Sequence, residues 1–165
     1  MPPAVSVCQS GTTLRSAVRP ETGSVESMMI SEQQVAAVVA AVSAQLTDPA
    51  FGQVSIGGFV ETQPDAARFL TLAVGRKVGA EEAMQAVFHA TVMESCFQDA
   101  FGGASVVTFA GLDAVGEHPG DALTEEQPAL ASYLATNVPV PAVRDALARV
   151  ALCWSRARAV EGGAT

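Results

Sequence analysis

Residues 80–101, AEEAMQAVFHATVMESCFQDAF, decide the fold class. Glu81 and Glu82 stand in what would be a first helical turn, where carboxylates meet the positive end of the helix dipole. Gly102-Gly103 follow, with glycine in the usual C-terminal capping place. Between them Met84, Val87, Phe88, Val92, Met93, Cys96, Phe97 and Phe101, interleaved with Ala83, Ala86 and Ala90, cover most of the helix circumference. A helix apolar nearly all round is buried on most sides. The stretch therefore reads as the central helix of an all-α domain.

Working outward, helix signals recur in both directions. Ser31-Glu32-Gln33-Gln34 has the residues of a capping box, and Val35, Val38, Val39, Val42 and Leu46 follow at helical spacing. Thr47-Asp48-Pro49 stops that helix and can start another, with Asp48 as cap and Pro49 in the first helical position. From Phe51 the pattern reads as a short helix ending in a turn at Gly57-Gly58, because each glycine costs a helix about 1 kcal/mol relative to alanine. Pro64-Asp65 opens another short helix, through Phe69, Leu70 and Leu72 to near Gly75. On the far side, Val106 to Phe109 has strand character without a partner, and His118-Pro119-Gly120-Asp121 has the residues of a type II turn. Thr124-Glu125-Glu126-Gln127 reads as a second capping box, before a helix ended by Asn137. Val138-Pro139-Val140-Pro141 is a stiff connector. The last helix, from Pro141 to about Val160, carries Val143, Leu147, Val150 and Trp154 on one face. The expectation is one compact domain of five or six helices over 30–161, with a disordered tail at 1–29 and a short tail at 162–165. No repeat of 20–50 residues is visible.

Composition removes many functions. Of the 165 residues 49% are apolar, and alanine is the commonest of them, while charged residues make up only 16%. A net charge of -8 disfavours binding to a phosphate backbone, so no nucleic-acid partner is expected. No apolar run approaches the length of a membrane span. Cys8, Cys96 and Cys153 lack the close spacing of a disulfide framework or zinc knuckle, which points to reduced thiols and a cytoplasmic location. The first residues lack the apolar core of a secretory signal. A start of translation at Met28 or Met29, where the pattern begins, is an alternative. Arginine far outnumbers lysine, which stands only at Lys77, and alanine and valine abound, as in GC-rich bacterial sequences.

Catalytic signatures are near misses. Gly52 to Gly58 has the outline of a phosphate loop but lacks its Lys-Ser/Thr pair. Ser55 also misses the spacing of a nucleophile elbow. There is no Glu-x-x-His of the kind di-iron bundles use. Neither an enzyme nor a bound cofactor is expected. His89, Met93 and Cys96 follow at spacings of four and three, and together form a soft-metal donor set. The same three residues also serve as ordinary core. Asp113, Glu117, His118 and Asp121 are either a loose cation loop or a solvated acidic loop.

Nine carboxylates lie between Glu81 and Glu126 without a lysine or arginine, whereas the last helix holds Arg144, Arg149, Arg156 and Arg158. Such asymmetry steers a partner, or the two parts lie against each other. Trp154 with Arg158 one turn on has the composition of an interface hot spot, or of a core aromatic under a cation. The leading expectation is a non-catalytic protein–protein interaction module, a bacterial adaptor or regulatory subunit. It would form a homodimer or bind a protein partner, with Val143, Leu147, Trp154, Arg158 and His89 as contact candidates. The alternative is a helical protein binding a small molecule, haem or soft metal on the His89/Met93/Cys96 face.

Overall fold

The computed structural model describes residues 28–163, which are helical throughout their regular elements and contain no strand. Eight helices follow in order: α1 (Glu32–Gln45), α2 (Phe51–Thr62), α3 (Pro64–Val78), α4 (Ala80–Phe101), α5 (Phe109–Asp113), α6 (Pro119–Glu126), α7 (Pro128–Asn137) and α8 (Pro141–Gly162). The expected tail falls, for residues 1–27, outside the described residues.

Eight helices replace the expected five or six for identifiable reasons. Residues 109–113 form a short helix capped by Thr108, whose hydroxyl accepts from the Gly111 amide at 3.1 Å. Pro119 is the first residue of α6 and not the second corner of a turn. Thr124 then lies inside α6 and donates to the Gly120 carbonyl, so the second capping box does not form. Gly57 and Gly58 sit within α2, which continues to Thr62. The Ser31 capping box is present: the Gln34 amide donates to Ser31 Oγ, and the Ser31 amide donates to Gln34 Oε1.

The eight helices fall into two halves of like construction. Each opens with an extended lead-in and a hydroxyl N-cap, Ile30-Ser31 in one and Val107-Thr108 in the other. Each then runs helix, helix, Gln-Pro joint, helix and a 22-residue helix. The joints are Gln63-Pro64 and Gln127-Pro128. In both, the glutamine closes one helix and opens the next with closely matched backbone angles, φ -130 ψ 58 and φ -139 ψ 70. In both the Gln amide donates at 2.7 Å to the carbonyl four residues back. Sequence repeats here too: Gln63-Pro64-x-x-Ala67-x-Phe69-Leu70 matches Gln127-Pro128-x-x-Ala131-x-Tyr133-Leu134.

Each buried glutamine binds the lead-in of the opposite half. Gln63 Oε1 accepts from the Val107 amide at 2.9 Å, and its Nε2 donates to the Ser105 carbonyl. Gln127 Oε1 accepts from the Ile30 amide at 2.9 Å, and its Nε2 donates to the Met28 carbonyl. The two halves are thus fastened reciprocally. This is why Val106-Val107 is extended without a strand partner: a glutamine side chain takes the place of a neighbouring strand, satisfying backbone groups that would otherwise be stranded.

The long helices α4 and α8 pack on each other, and α4 also packs against α1, α2 and α3. Phe97 and Trp154, both fully buried, meet with ring centroids 5.5 Å apart, and Phe59 stands edge-on to Trp154 at 6.3 Å. The indole Nε1 of Trp154 has no hydrogen-bond partner among the described residues. All-round burial of α4 is corrected at its start. Met84 is 53% exposed and Phe88 only half-buried, because no helix covers that side of the first turns.

Candidate functional site

The contact candidates on α8 are mostly core residues. Val143, Leu147 and Trp154 are buried within the chain, since α8 packs against α3, α4, α5, α6 and α7. A stripe facing five neighbours has no surface left for a partner. Arg158 lies half-buried with its guanidinium 4.6 Å from the Phe101 ring centre, not over Trp154. Two other arginines of α8 turn to the acidic segment. Arg156 pairs with Glu126 at 3.0 Å, and Arg149 donates to the Leu112 and Gly116 carbonyls. The charge asymmetry is in this part internal.

His89 has a definite setting. The Tyr133 hydroxyl lies 2.7 Å from its Nδ1. Burial pushes the Tyr133 hydroxyl well above the usual phenol range and lowers His89, so both are neutral near pH 7 and the phenol is the natural donor. The imidazole lines a cavity of about 240 Å³ with Glu82 and Gln85 of α4 and with Asn137, Val138, Pro139 and Val140 of the α7–α8 connection. Met93 and Cys96 are fully buried and are not in its lining. Burial, with Asp99 nearby, pushes the Cys96 thiol up to about 12. Met93 and Cys96 thus lie in the core and do not join His89 at its cavity. Among the described residues no three His, Cys, Asp or Glu side chains gather as a metal cluster, and Asp113, Glu117, His118 and Asp121 are exposed.

A second cavity, of about 260 Å³, opens between α1, α2 and α4 and was not foreseen. Its walls are Val42, Phe51, Val54 and Phe59, and Glu94 reaches into it from α4. Glu94 is the one buried carboxylate among the described residues, 8% exposed. Its Oε1 accepts from Gln63 Nε2 at 3.2 Å. Burial raises its pKa above the ordinary value, offset in part by the Gln63 amide and the nearby Thr62 hydroxyl. The single salt bridge among the described residues is Arg156–Glu126, so none of the described cations pairs with Glu94.

The second half shows what stands out here. Gln127 Nε2 meets Ser155 Oγ at 3.2 Å, the counterpart of Gln63 on Glu94. A hydroxyl therefore suffices for the joint. One residue away, the Glu126–Arg156 ion pair occupies the places that Thr62 and Ser95 hold in the first half. A cavity borders each corner, about 260 Å³ at Glu94 and about 400 Å³ beside Gln127, Ser155 and the ion pair. The repeated Gln-Pro-x-x-Ala motif, 64 residues apart, is the sequence signal that leads to this comparison.

No protein-family model, curated protein or solved structure matches this chain.

Proposed function

We propose that this chain is a non-catalytic protein–protein interaction module, an adaptor or regulatory subunit. Its contact surface is the α1–α2 face, not the α8 stripe, and its partner is a second copy or another protein. One observation carries the reading. Residues 33–60 contain a single charged side chain, Asp48, and much of this stretch is exposed. Ala36, Ala37, Ala40, Ala41 and Ala44 lie bare on α1, beside Leu46 at 52% and Val54 at 70% exposure. Uncharged apolar surface of this extent marks interaction sites. Small side chains let a second helix approach closely, and two-fold dimers are the commonest assembly of soluble chains. Sedimentation at micromolar concentration tests this. The expected result is a dimer that Ala40→Glu converts to monomer without lowering the melting temperature. A monomeric native chain that also retains no partner from its host would remove the reading.

A second reading rests on the cavity beside His89. The Tyr133 hydrogen bond orients the imidazole towards a small ligand able to accept or donate hydrogen bonds, held against Val138 and Val140. The burial of Met93 and the Cys96 thiol favours an organic ligand over haem or a soft metal.

A further inference from the structure

The polar lining of the α1–α2–α4 cavity is unusual in what it offers. Thr91 Oγ1 donates to the Phe88 carbonyl at 2.6 Å, Ser95 Oγ to Thr91 at 2.9 Å, and Thr62 Oγ1 to Gly58 at 3.0 Å. The Thr91 and Ser95 protons are thus committed to their own helix, and these two groups turn oxygen lone pairs to a guest, while Ser55 and Gln98 in the same lining can also donate. Glu94 adds a carboxylate, held by Gln63 beside the Thr62 hydroxyl, and no other ionisable side chain lines the cavity. A lining whose one ionisable group is a carboxylate disfavours anions and suits a cationic donor, which among biological groups is an ammonium or guanidinium. The apolar walls, Phe51, Val54 and Phe59, call for an aliphatic stem behind it. At about 260 Å³ the space is near the lower end for ligand pockets, which favours the compact ammonium over the broad planar guanidinium.

We propose that this cavity binds an alkylammonium group, as a free aliphatic amine or a lysine side chain, with the ammonium on Glu94 and the stem along Phe51 and Phe59. The second half supplies the argument that Glu94 is not there for folding: Ser155 meets the equivalent glutamine at the same distance. A buried carboxylate with no cation beside it among the described residues is costly. Its presence where a hydroxyl serves elsewhere is accounted for by a cationic guest. The inference does not depend on whether the α1–α2 face binds a protein.

The test titrates the full chain with hexylammonium, with Nα-acetyl-lysine methylamide, and with 1-hexanol as the uncharged control. Calorimetry follows binding, and the fluorescence of the single tryptophan gives a second readout, because Phe59 touches both the cavity and Trp154. At least one ammonium probe is expected to bind at least about tenfold more tightly than hexanol, and to lose about that factor in Glu94→Gln. The tighter of the two identifies the source, free amine or lysine side chain. Glu94→Ser, which copies the Ser155 arrangement, keeps the fold testable and should lose binding likewise. Failure of both ammonium probes to bind, hexanol binding as tightly, or undiminished binding in the two variants would overturn the proposal.

Discussion

Glu94 illustrates how a single residue couples the fold to the candidate site. Its carboxyl is buried, so the folded state holds the proton above the ordinary value of 4.5. Folded chains therefore bind more protons than unfolded ones between that value and the raised one, and stability falls as pH rises through this window. Glu94→Gln keeps the shape and an acceptor for Gln63 but removes the titration. Below the ordinary carboxylate value the variant and native chain should melt alike. Above it the variant should become the more stable, by a margin that grows and then levels. Melting curves from about pH 4 to about pH 8 check this, and a difference independent of pH would place the carboxylate in solvent. In the sequence, Glu94 appears only as one of two ionisable groups in a helix interior. Nothing local distinguishes a carboxylate at a cavity from one on a wet face.

At the scale of elements, the Gln-Pro joints organise the chain. Proline at the first helical position loses no hydrogen bond. The glutamine before it is held out of the helical region, and its side chain is free to reach across the molecule. Gln63→Ala leaves the Val107 amide, the Ser105 carbonyl and Glu94 without their partner. Each stranded group costs about 1–3 kcal/mol, so the variant should lose a large part of the stability. Urea denaturation measures the loss. Hydrogen exchange gives the position: Val107 should exchange faster in Gln63→Ala with Ile30 little changed, and the reverse in Gln127→Ala. Equal acceleration of both amides in both variants would mean that the joints are not separate clamps. Reading Gln127 as the end of a capping box was wrong because Pro119 starts the helix five residues before Thr124.

For the whole molecule, the reciprocal clamps predict a single cooperative unit. Each half's lead-in is bonded to the other half's glutamine, and α4 and α8 share the Phe97–Trp154 contact. Neither residues 28–104 nor 105–163 should fold alone. Unfolding of the full chain by urea should give one transition, coincident by tryptophan fluorescence and far-ultraviolet circular dichroism. Two separated transitions would show that the halves are independent domains. The exposed α1–α2 face lies in the first half, whose α1 is 14 residues long where its counterpart α5 has five. The proposed association is thus a property of the half that departs most from its companion.

Local physics alone determined the helical class, the extent of α4 and the Ser31 cap. Apolar spacing, capping residues and glycine punctuation act within one or two turns, and Gly102 does close α4 in the left-handed conformation at φ 79. The same is true of the break before α8 at Pro141. What only the tertiary structure decided is which faces are covered. The apolar stripe of α8 resembles a contact surface until five helices enclose it, and the stripe of α1 looks equally ordinary until its alanine side is left bare. The cavity at Glu94 likewise exists because three helices, not all consecutive along the chain, leave a gap between them. Burial depends on partners distant along the chain, as with Gln127 and Met28, 99 residues apart. No periodicity within a helix encodes them.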